Sequence, residues 1–514
     1  MKKTTFSIAL MFSRVEVWLS MLFFLAFHLF RLGFLPVFAD EAIYIRWAQL
    51  IQNDYARYAF LSMADGKPPL FMWLLTVWLL PFQDPVVAGR LLAVVIGLAT
   101  LITLRWIVTL LGGKGLARFF VSLFVSVLPF WYMYHRMVLM DGLLTLLLAL
   151  SFGFALKISQ AKKTSILGVA LLAMSFGGAL WTKTPALFAI PIIALVPVWS
   201  SLLKKEMEPR QLFARILPVA IAGVIGCMLF LLLRLSPSFG SLFSRSGDFT
   251  FTFHELLAGE WRYVVKDSLP RNILWMIQYA TVGVLVIIVL GLFTKERAKI
   301  FLLVVSALLY ALPLTILGRV LWPRYFLPCM IFLTVAAALS TAALLKTARM
   351  RMIAAVFVML SLLYSVAFIA PLTSDLSVVP FVQSDRSQYI TDWSAGFGNV
   401  QVRDFILSRV QEQSQAANGR IIVLTEGAFG TLPDGLQIYF HHKVLPVPVE
   451  IYGIGVAVPS IPQEYRHREN GTKVYYVANS HRLGLASREG VHLIGTFPRP
   501  DGPSLLLFEV TQQL

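Results

Sequence analysis

The chain has 514 residues, 58% of them apolar, with 39 Phe and 12 Trp, and a mean hydropathy of +0.74. Together with repeated apolar runs of about 20 residues, this composition excludes an ordinary soluble domain and describes a polytopic α-helical membrane protein. The net charge of +17 invites a nucleic-acid reading, but residues 372–514 carry 11 Lys+Arg against 13 Asp+Glu, and the first 371 carry 33 against 14. The positive charge belongs to membrane loops, and no nucleic-acid partner is expected.

In chain order, apolar runs fall at 15–37, 86–111, 116–134, 141–158, 165–182, 185–203, 211–234, 272–293, 299–317, 322–345 and 352–371. They predict about 11 transmembrane helices over residues 1–371. The run 70–82 is too brief to span: 13 residues at a rise of 1.5 Å cover about 20 Å, against the roughly 30 Å of a hydrocarbon core. With Phe71, Trp73 and Trp78 as anchors, it reads as an interfacial helix. Cys227 and Cys329 both lie inside apolar runs and read as small buried hydrophobes.

Basic residues orient the spans. Lys2-Lys3, Lys114 with Arg118, Lys162-Lys163, Lys204-Lys205 with Arg210, Lys295 with Arg297 and Lys299, and Lys346 with Arg349 and Arg351 all fall on one face. The positive-inside rule makes that face cytoplasmic, together with the N-terminus. Loops 38–85 and 235–271 then lie outside, as does the C-terminal region. Val37-Phe38-Ala39 also fits a signal-peptidase site, but the apolar run before it is long for a signal sequence and Pro36 precedes it. Beyond Pro371 the composition turns polar. An amphipathic run at 402–413 and β-rich runs at 421–424, 474–477, 492–496 and 504–509 predict a separate extracytoplasmic α/β domain over 372–514.

Charged residues at the outer span ends are the candidates for chemistry, since placing them at a membrane edge costs free energy. Asp40-Glu41 follows the first run, and Asp40 would also serve as the N-cap of a helix beginning near Ala42. Tyr44, Trp47 and Tyr58 suit either stacking on a sugar or the lipid interface. Lys67 precedes Pro68-Pro69, which stiffen the backbone beneath it, and its ammonium suits a lipid phosphate or simple snorkelling. Asp141 opens a leucine run and could equally be a cap. Lys183 lies between Thr182 and Thr184-Pro185, and Arg319 and Arg324 stand on the outer face against the general charge asymmetry. Anion binding would explain all three. His254, Glu255 and Asp141 are weak candidates for a divalent metal.

The order Asp-Glu-Ala-x-Tyr (40–44), Lys-Pro-Pro-Leu (67–70), Arg90-Leu91 and then Asp141 at a later helix start resembles the GT-C membrane glycosyltransferases. It is most similar to the branch of protein O-mannosyltransferases and lipid A aminoarabinose transferases. Trp181-Thr182-Lys183-Thr184-Pro185 is similar to that branch's Thr-Lys-Gly-Pro segment, with Thr184 where glycine is usual, and Arg324-Tyr325-Phe326-Leu327-Pro328 to its Arg-Tyr-x-x-Pro segment. The resemblance covers roughly 15–345. It implies a GT-C-like catalytic domain that moves a single sugar from a polyprenyl-phosphate donor, with inversion, to an extracytoplasmic acceptor. That acceptor would be a protein, a lipid or a cell-envelope glycan. Carried onto this chain, the resemblance makes Asp40 the general base, supported by Glu41, and gives Asp141 the task of orienting acceptor, sugar or metal. Lys67, with Arg324 and with Lys183 and Arg319 as further cations, would hold the donor phosphate; Tyr44, Trp47 and Tyr325 are stacking candidates. A divalent ion is an option rather than a requirement. The implied setting is a bacterial plasma membrane. A transporter or flippase of lipid-linked glycans is the alternative, but no internal repeat is visible and the polar groups crowd one face.

Overall fold

A computed structural model describes residues 2–414, 419–441, 443–467, 471–485 and 490–511. The chain divides into two compact units, one of 1–32, 59–74 and 90–370, the other of 33–58, 75–89 and 371–514. Segments 33–58 and 75–89 thus group with the C-terminal region, whereas a boundary at 371/372 assigns them to the membrane part.

The first unit is helical. Six helices are long and apolar enough to cross a membrane: Pro85–Leu110, Met140–Gln160, Thr184–Lys204, Pro209–Leu235, Arg297–Leu317 and Ala348–Leu372. Shorter apolar helices at Val15–Leu29, Gly115–Val127, Ile166–Thr182 and Cys329–Leu344 occupy four further predicted runs. The remaining run, 272–293, is not one straight helix. It belongs to a pair, Phe253–Ala280 and Val282–Gly291, bent by 94°. Thr281 makes the bend with φ +72°, a left-handed value that costs a β-branched residue about 1–3 kcal/mol unless its surroundings hold it. They do: Thr281 Oγ1 donates to Ser361 Oγ at 2.9 Å. At Gly283 a Cβ would lie 2.3 Å from the Phe357 carbonyl oxygen, so only glycine lets these helices approach.

Small residues set a second crossing, between Ile166–Thr182 and Pro209–Leu231. A Cβ on Gly177 would meet Gly226 O at 3.2 Å, and one on Gly226 would meet Ala173 O at 3.2 Å. Buried arginines close helix ends elsewhere. Arg136 donates to the carbonyls of His28 (2.6 Å), Arg31 (3.1 Å) and Phe27 (3.2 Å), satisfying orphan acceptors at the end of the first helix. Arg90 donates to Leu32 O at 3.1 Å.

The second unit is built on a five-stranded sheet of β1 (Arg420–Thr425), β2 (Val449–Gly453), β3 (Thr472–Asn479), β4 (Val491–Arg499) and β5 (Gly502–Val510), in the order β2-β1-β3-β5-β4. β1 is parallel to β2 and β3, and β5 is antiparallel to β3 and β4. Alternation along the strands fills both faces. Ile421, Val423, Tyr475 and Val477 pack on Val402, Ile406 and Val410 of helix Asn399–Gln413, and Ile422, Leu424, Val474 and Tyr476 pack with Phe508 on the other side. The sequence predicts four of these strands. It misses β2, a five-residue edge strand in which Val449 and Ile451 face the core between Glu450 and Tyr452, an alternation too short to stand out.

Helix Ala39–Asn53 belongs to this unit and is tied to it by backbone bonds. Ala39 N–H donates to Ser394 O at 3.0 Å and Gly396 N–H to Val37 O at 2.9 Å. Further along the helix, Gln49 Nε2 donates to Ile438 O at 2.9 Å.

Candidate functional site

In the helical unit, three predicted site segments come together. Asp141 lies in the first turn of Met140–Gln160 and Lys183 follows the last residue of Ile166–Thr182. Lys183 Nζ donates to Asp141 Oδ1 at 2.7 Å; the carboxylate side chain is 3% exposed and the lysine 19%. The ammonium also sits 3.9 Å from the centre of the Tyr325 ring, where the ring quadrupole attracts it. Arg324, buried, has its guanidinium carbon 5.3 Å from the same ring and 5.9 Å from that of Trp322. A lysine, an arginine and a carboxylate thus stand around one tyrosine ring, held by loops that each follow or precede an apolar helix.

Lys67 also has an acidic partner. Its ammonium pairs with Asp65, which also receives Arg245. The proline pair after Lys67 does not signal this partnership, and Asp65 and Arg245 are 180 residues apart. Arg319 is engaged elsewhere again. It donates to Glu255 Oε1 at 2.6 Å, and its guanidinium carbon lies 4.9 Å from the Phe251 ring centre. Hydrogen bonds from the Thr252 N–H and hydroxyl, then Arg319, hold the Glu255 carboxyl down at about 2. Of the four predicted cations, Lys183 and Arg324 flank Tyr325, Lys67 shares Asp65 with Arg245, and Arg319 pairs with Glu255. Among the described residues, no three His, Cys, Asp or Glu side chains converge as a metal-ligating group. The donor set suggested by Asp141, His254 and Glu255 does not fit a metal, since Asp141 is paired with Lys183 and Glu255 with Arg319.

In the second unit, Asp40 and Glu41 divide their tasks. The helix starts at Ala39 and Phe38 is its N-cap, so Asp40 is in the first turn and is not the cap. Glu41, buried, reaches back to accept the Phe38 N–H at 3.0 Å and fills the capping role with its carboxylate. Asp40 is half-buried. Tyr44 is buried and Trp47 half-buried, with ring centres 5.9 Å apart. In the same way Asp141 is not a cap: Leu139 holds that position, and the Asp141 carboxylate goes to Lys183.

No protein-family model matches the chain, and no curated protein matches it. Solved structures do. ArnT from Cupriavidus metallidurans in the apo state is 16% identical, with a TM-score of 0.51 over 99% of this chain and 98% of that one. The same protein bound to undecaprenyl phosphate gives 14% identity and a TM-score of 0.53 over 96% and 98%. The chain has the GT-C fold. The Archaeoglobus fulgidus oligosaccharyltransferase, tethered with an acceptor peptide, is also similar, at 10% identity and a TM-score of 0.48 over 90% of this chain and 68% of that one.

In this fold the loops 392–398 and 425–430, glycine- and aromatic-bearing stretches that by sequence either bind an acceptor or turn the chain, hold the segment that carries Asp40. A Cβ on Gly396 would lie 2.5 Å from Val37 O, and one on Gly430 (φ +97°) 2.8 Å from Trp393. Thr431 Oγ1 donates to Trp393 O at 2.6 Å, joining the two loops. Gly396→Val should therefore push the 37–39 backbone away and destabilise this unit by about 1–3 kcal/mol. Thermal unfolding of the purified variant checks this, and an unshifted midpoint would show that the loop yields freely.

Asp434 adds a pH dependence to the same packing. Burial raises its carboxyl to about 6, against the opposing pull of the Gly430 N–H (2.7 Å) and of Arg46 on the Asp40 helix. A folded carboxyl above its unfolded value of 3.8 binds the extra proton in the folded state. Stability should then fall as pH rises from about 4 to about 6, and then level off. Unfolding midpoints across that window should show the slope in the wild type and a flatter profile in Asp434→Asn.

Proposed function

We propose that this protein transfers a single sugar from a polyprenyl-phosphate donor to an extracytoplasmic acceptor in a bacterial plasma membrane. The observation that carries the reading is the Lys183–Asp141 pair beside Tyr325 and Arg324, in a GT-C fold shared with an ArnT that binds undecaprenyl phosphate. Basic side chains at the end of apolar helices suit a lipid phosphate, because the isoprenoid tail stays in the bilayer while the charge is neutralised at its edge.

The chemistry is a single displacement. Asp40 takes the proton from the acceptor hydroxyl, whose oxygen attacks the anomeric carbon. The bond from that carbon to the phosphate oxygen breaks on the opposite face, inverting the centre. The electron pair leaves on the phosphate, where Lys67, Lys183 and Arg324 stabilise it as it develops. Asp141 holds the Lys183 ammonium in place, and Glu41 anchors the turn that presents Asp40. The basic loops support a cytoplasmic N-terminus with the C-terminal region outside.

Two measurements test the reading. Mass spectrometry of envelope glycans, glycolipids and proteins from cells with and without the gene should reveal one missing sugar substituent. Purified protein should bind undecaprenyl phosphate, and Lys67→Ala should weaken that binding by about tenfold. An unchanged envelope together with absent lipid-phosphate binding would remove the proposal.

A further inference from the structure

The carboxyl edge of the small sheet carries a polar group that sugar transfer, as described, does not use. β1 lies between β2 and β3, all three parallel, so successive connections leave β1 and β3 toward opposite sides of the sheet. Such a reversal opens a crevice at the carboxyl ends of the two strands, which is where open α/β sheets bind ligands. Glu426 follows β1 directly and Asn479 ends β3.

These residues form a linked group. Asn479 Nδ2 donates to Glu426 Oε1 at 2.5 Å, and Arg499 Nη2 donates to Asn479 Oδ1 at 2.6 Å. Arg482 Nη1 lies 3.9 Å from Glu426 Oε1, with its guanidinium carbon 4.6 Å from the Trp393 ring centre. His481 Nε2 is 3.7 Å from Asp392 Oδ1. Glu426 is only 1% exposed, yet its Oε2 has no hydrogen-bond partner among the described residues. Neither do Arg499 Nε and Tyr476 Oη, and Tyr476 is close enough to feel the Glu426 charge. Native structures rarely leave three buried polar atoms together unsatisfied; such a group implies hydroxyls, from water or from a ligand.

Charge narrows the ligand. Glu426 and Asp392 offset Arg482 and Arg499. An anion entering here meets two carboxylates, and a cation meets two guanidiniums. Burial lowers the affinity of His481 for a proton, which leaves a neutral imidazole that both donates and accepts. Mixed donors and acceptors of zero net charge match hydroxyl groups, each of which does both. On the rim, Phe429 is 62% exposed and packs edge-on to Trp393 at 6.4 Å, offering an apolar face to sugar C–H groups.

We propose that this edge binds a neutral oligosaccharide, with adjacent hydroxyls donating to Glu426 Oε2 and accepting from Arg482. That the bound sugar belongs to the acceptor rests on the transfer reading; the binding itself does not.

Full-length protein in detergent should be applied to an array of neutral, anionic and cationic oligosaccharides, and the best neutral binder then titrated. Binding should fall at least tenfold in Glu426→Gln and in Arg482→Lys. The first is isosteric and the second keeps the charge at a partly exposed position, and unfolding midpoints verify that both fold. If Glu426→Gln does not fold, Arg482→Lys alone decides. No retention of any oligosaccharide, retention of charged ones only, or equal binding by the folded variants would each overturn the proposal, the first indicating that the polar atoms hold water only. Binding as expected, with an unchanged envelope in cells lacking the gene, would instead count against transfer.

Discussion

Asp40→Asn should abolish sugar transfer while leaving protein level and undecaprenyl-phosphate binding nearly intact. The expected loss is about 10²–10⁴-fold, the usual range for a general base. The helix cap itself should survive the change, for an identifiable reason. The capping bond at this helix start is made by Glu41, not Asp40, and loss of one negative charge from a first turn costs only about 0.3–1 kcal/mol. Glu41→Gln gives the contrast: it removes the charge from the buried cap and should lower the unfolding midpoint. Envelope mass spectrometry in a complemented deletion strain measures transfer, and detergent-solubilised protein measures binding. If Asp40→Asn retains most turnover, the base lies elsewhere.

Lys183→Met should strongly destabilise the helical unit. It leaves the Asp141 carboxylate, 3% exposed, without its cation. Breaking a buried pair from one side costs about 3–5 kcal/mol, and the 19% exposure of Lys183 places this case near the lower end because water softens the penalty. The double variant Asp141→Asn with Lys183→Met should recover much of the loss, since no uncompensated charge remains. A double-mutant cycle on thermal unfolding separates the two contributions. The same variants report on function: Lys183→Met and the double variant should both bind undecaprenyl phosphate more weakly. If the double variant binds it as the wild type does, Lys183 serves only to neutralise Asp141.

Much of the architecture was legible because hydropathy sums along the chain. Each predicted apolar run carries an apolar helix or a bent pair, and the polar composition beyond Pro371 coincides with the sheet-bearing region. The bend at Thr281 was not legible. Nothing in a run of apolar residues signals a left-handed threonine held by a serine 80 positions away. β2 was missed because it is short: its backbone pairs with β1, but its alternation rests on only two core-facing side chains, Val449 and Ile451.

The candidate site shows the same division at the level of single residues. The sequence by itself determined the membrane class, the concentration of positive charge in the first 371 residues, and the acids and lysines at span ends. These are properties of composition and local order, and burying apolar surface or crowding charge has the same consequence in any packing. Only the tertiary structure decided that Asp141 belongs to Lys183, that Lys67 belongs to Asp65 and Arg319 to Glu255, and that Glu41 rather than Asp40 completes the helix cap. Ion pairs and hydrogen bonds act over a few ångströms, and packing of distant segments sets which groups come that close.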